Sequence, residues 1–233
     1  MAIDELDEHE QGERVRQWLR QNGASIVLGI GAGIAALAGW NYWQNAQREH
    51  TAKAQLEFQS LLEAETRGDA AAVEKAAATL RGEFAKTPYG ALAALNQARD
   101  ALRKGDHAAA EAALEWARGA RVGVPALAEL VELRLAQVKL AKGEAQAVLD
   151  VLARIKDGQY KGPAAELRGD ALVALGRPEE ARAAYEDALA ALDQGSPQRD
   201  FVVMKRDDIG ATPAQSAPAA PAAAAEPAAK ANS

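Results

Sequence analysis

The hydrophobic pattern of the chain divides into a continuous stretch and a periodic one. Residues 21–47 carry no charged side chain, and within them residues 24–43 form an apolar run built on Ile26, Val27, Leu28, Ile30, Ile34 and Leu37. Twenty helical residues rise about 30 Å, the hydrocarbon thickness of a bilayer. The pattern predicts a transmembrane helix over residues 24–43. Trp18 precedes the run, and Trp40, Tyr42 and Trp43 close it, where aromatic rings sit at a lipid–water interface. A surface-lying amphipathic helix would need a charged face, which this run lacks.

A cleaved signal peptide is the rival reading, because Ala36-Leu37-Ala38 has the small-x-small form that a signal peptidase cuts. Six acids precede the run (Asp4, Glu5, Asp7, Glu8, Glu10 and Glu13), and the helical pattern runs through the supposed cut. Both favour an uncleaved anchor. Arg14, Arg16 and Arg20 before the run against Arg48 and Lys53 after it place residues 1–23 in the cytoplasm, by a narrow margin. Gly29 and Gly33 share one helix face, with Ala32/Ala36 and Ala35/Gly39 repeating the spacing. Such a face admits close approach by another membrane helix; equally, small residues are common in membrane helices. Gly29-x-Gly31-x-Gly33 lacks the strand–turn–helix context of a dinucleotide site.

Beyond the run the period changes to that of amphipathic helices. Between Thr51 and Asp193 a cue recurs: a helix-like stretch, a glycine, then an acidic or polar start. Gly68-Asp69, Gly105-Asp106, Gly143-Glu144 and Gly176-Arg177-Pro178-Glu179 mark it, at intervals of 37, 38 and 33 residues. Glycine suits the left-handed residue that closes a helix; aspartate or proline suits the opening of the next. The period predicts a tetratricopeptide-like solenoid of about four helix pairs over residues 44–209, in an all-α fold. In the last unit Gly169, Leu172, Gly176, Ala181, Tyr185 and Ala188 occupy the repeat's small and bulky positions. Ala98, Gly105, Ala110, Leu114 and Ala117 repeat the register, as do Ala136, Gly143, Val148, Leu152 and Ile155. The first unit, around Leu61, Gly68 and Leu80, is degenerate. Residues 210–233 are alanine- and proline-rich without large apolar residues, the composition of a disordered tail.

Composition narrows the function. The net charge is −6, and the basic residues cluster only in pairs such as Arg103-Lys104 and Lys205-Arg206, which read as solvated surface and offer no nucleic-acid footprint. Cysteine is absent, so disulfides and thiolate chemistry are excluded. His9, His50 and His107 are far apart, and His107 reads as solvated; no metal site is expected. Tyr89 and Trp116 read as packing residues. No nucleophile–base–carboxylate set stands out, so neither an enzyme, a cofactor nor a small-molecule substrate is expected. Protein binding is the class that remains.

The lead Val15-Arg16-Gln17-Trp18-Leu19-Arg20-Gln21-Asn22-Gly23, the end Gly39-Trp40-Asn41-Tyr42-Trp43 and the closing Val203-Met204-Lys205-Arg206-Asp207-Asp208-Ile209 together resemble the YfgM family, over roughly residues 1–209. The resemblance implies an ancillary subunit of the bacterial Sec translocon. It implies a single-pass type II protein of the inner membrane, with a periplasmic repeat domain partnered by translocon subunits and a membrane-anchored periplasmic chaperone of the PpiD kind. The alternative from the fold alone is an envelope structural or stress-signalling regulator that sequesters a partner through its repeats.

Overall fold

The computed structural model describes residues 4–120, 122–155 and 158–211. The expected tail over residues 210–233 lies outside that description from residue 212 onward. Among the described residues every regular element is a helix, as the composition predicts: α1 (Asp4–Arg67), α2 (Ala70–Gly82), α3 (Pro88–Arg103), α4 (His107–Gly119), α5 (Pro125–Ala141), α6 (Ala145–Leu152), α7 (Lys161–Ala174), α8 (Pro178–Ala191) and α9 (Gln198–Ala211). α1 packs on α2, α5 on α6 and α7 on α8, while α4 packs on α5 and α9 on α8. The chain divides into two compact units, Met1–Ala93 and Ala94–Ser233, with the division inside α3.

Each repeating glycine ends a helix for a backbone reason. Gly68, Gly105, Gly143 and Gly176 have φ of 70°, 76°, 79° and 70°, the left-handed region where a Cβ is disfavoured. The next residue opens the following helix. Asp69 accepts from the Ala72 N–H at 3.0 Å and Asp106 from the Ala109 N–H at 2.9 Å, caps worth about 1 kcal/mol each. In the other two pairs Glu144 and Arg177 make no side-chain cap, and Pro178 occupies the first turn of α8.

In the first unit α1 packs on α2. Ala54 and Leu61 of α1 are buried with Ala76, Ala77, Leu80 and Phe84, while Phe58 and Tyr89 pack against them with ring centroids 5.8 Å apart. The degenerate first repeat is thus a real helix pair. Gly90 allows α3 to approach α2: a Cβ there would lie 2.9 Å from the Phe84 carbonyl oxygen and 3.0 Å from that of Leu80.

In the second unit a core runs from Ala98, Ala110 and Leu114 through Leu135, Ala136 and Val138 to Val148, Leu152, Ile155 and Ala171. It continues as a cluster of Ala165, Leu172, Ala181, Tyr185, Ala188 and Val202 that binds α7, α8 and α9. The small residues let helices pair closely, and Tyr185 fills the space that they leave.

Candidate functional site

Two kinds of surface stand out: the apolar part of α1 and the polar ties that fix the repeats. In α1 the apolar window has a mean hydropathy of 1.7, and none of it is buried within the protein. Val27 and Leu28 are 71% and 76% exposed, and Ile30, Ile34 and Leu37 are similarly open. Each such side chain left in water forfeits roughly 1.5–3 kcal/mol of transfer energy, so this part of the helix needs an apolar surrounding. By length and composition α1 can cross a membrane. Gly29 and Gly33 have nothing within 4 Å of the space a Cβ would take. Their face is therefore open, with no neighbour packed on it among the described residues. Trp18, Trp40, Tyr42 and Trp43 are all exposed, with the Trp40 and Trp43 rings 5.2 Å apart. The structure brings those last two together; Trp18 lies more than three helical turns of the apolar run away.

The ion-paired ties lie in the second unit. Lys205 of α9 reaches Glu166 and Asp170 of α7, each at 2.8 Å, and the Tyr185 hydroxyl of α8 donates to Asp170 at 2.7 Å. Gln198 donates to the other oxygen of Glu166. Three helices are thereby tied at one place. Burial pulls the Lys205 ammonium down, but its hydrogen bonds to Asp170 and Glu166 outweigh that and leave it above the ordinary lysine value. Burial, with the hydrogen bond to Asp170, pushes the Tyr185 hydroxyl far above the usual phenol value. Lys205 thus differs from the solvated basic residue that its sequence suggests: it is the cation joining α9 to α7.

A second tie joins α4, α5 and α6. Glu111 accepts from Lys139 and, at 2.6 Å, from Lys142, which also pairs with Glu144 at 2.6 Å. The two lysines hold the Glu111 carboxyl below its ordinary range. Glu132 of α5 is the contrary case. Burial raises its carboxyl despite Arg154 at 3.5 Å, and one of its oxygens is buried without a hydrogen-bond partner. His107 is half-buried in the first turn of α4 rather than solvated, with Nδ1 enclosed. Among the described residues no three of His, Asp and Glu converge to hold a metal ion. These ties have the form of structural fasteners: each joins side chains of different helices.

Beside the Lys205 tie, Phe201 and Met204 of α9 stand 63% and 67% exposed. They line a shallow depression of about 560 Å³ together with Val203, Lys205, Asp207 and Asp208.

With this geometry in place, the chain matches the family described as a tetratricopeptide repeat-like domain over residues 16–211. It is 33% identical over 183 residues to the ancillary SecYEG translocon subunit of Escherichia coli (strain K12), covering 77% of this chain and 86% of that protein. It is 28% identical over 183 residues to the protein of the same name from Haemophilus influenzae, covering 78% and 89%. The same figures hold for the one from Aggregatibacter actinomycetemcomitans.

Proposed function

The chain belongs to the tetratricopeptide repeat-like family of ancillary SecYEG translocon subunits, and on that premise we propose that it is a membrane-tethered binding module working at the translocon exit. The observation that carries this reading is α1, one unbroken helix that holds both the exposed apolar run and the buried face of the first helix pair. Residues 24–43 cross the inner membrane, residues 1–23 stay in the cytoplasm, and residues 44–209 lie in the periplasm. Trp18, Trp40, Tyr42 and Trp43 sit at the interfaces. Gly29 and Gly33 give a neighbouring membrane helix room to pack.

The repeat units act by binding protein. Tethering raises their effective concentration beside emerging chains and beside a membrane-anchored periplasmic chaperone of the PpiD kind. The module assists that chaperone's work, and the chemistry of folding belongs to its partners. The family is a protein-interaction fold, and no enzyme is proposed here.

Recovery of partners from mild detergent tests this. The parent chain should bring down translocon subunits and the chaperone. Gly29→Leu with Gly33→Leu should still insert, since leucine is the more apolar residue. It should lose translocon recovery while keeping chaperone recovery, because the repeats are untouched. Equal recovery of both partners by parent and variant would reduce the glycine face to ordinary membrane-helix composition. A signalling protein in place of both partners would replace the reading altogether.

A further inference from the structure

α1 is 64 residues long, which makes it a rod of about 96 Å. Its composition changes along its length. Gly23, Gly29, Gly31, Gly33 and Gly39 all lie in or before the apolar run, while residues 40–67 contain neither glycine nor proline. Sharp kinks arise at proline, at glycine–serine pairs or where a group inserts into the ladder. The water-exposed stretch thus lacks the residues at which a helix bends. Residues 45–49 are exposed, and at His50 the helix meets the rest of the unit, its ring 4.9 Å from that of Phe84. From Trp43 to His50 the free stalk is therefore about two turns, roughly 10 Å. Side chains along it bond locally: Thr51 Oγ1 donates to the Gln47 carbonyl at 2.9 Å, and Arg48 reaches Gln44 at 3.5 Å. Flanked by helix on both sides, the stalk needs no nucleation of its own.

The rod also has a phase. About 18 residues make five full turns, and that spacing links Ala36 to Ala54, Trp40 to Phe58 and Trp43 to Leu61. The second member of each pair packs on α2 or borders that core. The side of the apolar run that carries Ala36, Trp40 and Trp43 therefore points the same way as the side that carries α2.

We propose that α1 is a rigid coupler, fixing both the height and the azimuth of the first helix pair above the membrane surface. Its occupant is an integral membrane protein with mass of its own above the bilayer, engaged in one orientation only. This rests on the reading that the chain works beside the translocon.

The absence of native cysteine permits a direct test. Spin labels at Ala36→Cys and Lys75→Cys, in the full chain in lipid nanodiscs, should give one narrow distance. Two alanines inserted between Ala46 and Gln47 rotate the unit by about 200°; four rotate it by about 400°, a net 40°. The two-residue variant should lose translocon recovery by roughly tenfold or more, as when a bivalent contact can no longer close. The four-residue variant, though longer, should retain most of it. A broad label distance in the parent overturns the rod. Recovery that ignores the insertions, or falls simply with their length, overturns its role in partner engagement. A parent chain that recovers no translocon refutes the proposed function, and the label distance then decides the rod by itself.

Discussion

The ring of Tyr185 occupies the volume that a side chain at Gly169 would need. A Cβ on Gly169 would lie 2.6 Å from Tyr185 Cδ1 and 2.8 Å from Cζ. The tyrosine cannot swing away without cost, because it is buried and its hydroxyl is held by Asp170. Gly169→Leu should therefore wedge α7 from α8 and destabilise the repeat region by about 1–3 kcal/mol. Thermal unfolding measures this. Tyr185→Ala should also destabilise by leaving a cavity, but combined with Gly169→Leu it should cost less than the two single changes added together. Strict additivity would mean that the two residues do not compete for the same space.

The tie at Lys205 sets an alkaline limit. Lys205 titrates above the ordinary lysine value in the folded chain. Its stabilisation is then complete below that ordinary value, about 10.4, and is lost as pH rises through the folded value. Tyr185 acts in the same direction, since its folded-state value is also raised. Lys205→Met should lower the melting temperature at neutral pH, by the equivalent of about 1 kcal/mol once solvent screening is allowed for. It should also flatten the decline above about pH 10.4. An unchanged melting temperature at pH 7 would contradict the tie.

Glu132 predicts a pH dependence of the same sign in a more acidic window, with a variant effect opposite to that of Lys205→Met. Its carboxyl is raised by burial, with Arg154, Arg118 and Glu115 as the charged groups that bear on it. The ionised form thus detracts from stability at neutral pH, and that effect disappears as pH falls below the ordinary glutamate value, about 4.3. Glu132→Gln should raise the melting temperature at pH 7 and converge with the parent near pH 4. A lower melting temperature at pH 7 would show that the pair with Arg154 outweighs burial.

Helix boundaries were readable where backbone conformation restricts the residue. The four glycines that close helices show a positive φ, and the aspartates after two of them cap the next helix. The meeting of Gly169 and Tyr185 followed from small and bulky positions at repeat spacing. Contacts between distant residues were less readable. Lys205-Arg206 resembles any surface pair, and only the placement of α9 beside α7 gives Lys205 its two carboxylates. His107 looked solvated because a polar residue in a helix's first turn usually is. The continuity of α1 was present as an absence, since no glycine or proline separates the apolar run from the first repeat. Among the described residues nothing lies within 4 Å of a Cβ at Gly29 or Gly33, so intrachain contacts assign that face no role.

Under the proposed function the repeat units bind protein beside the translocon. Site-specific photocrosslinking in intact membranes tests it most directly, with the photoreactive residue at Leu56 in the first unit or at Phe201 in the second. Both positions are exposed, so neither replacement disturbs the core. The expected result is adducts to translocon subunits and to a membrane-anchored chaperone, formed in cells and identified by mass. Adducts to a signalling protein alone, or none from either position while the chain remains folded and membrane-bound, would contradict it.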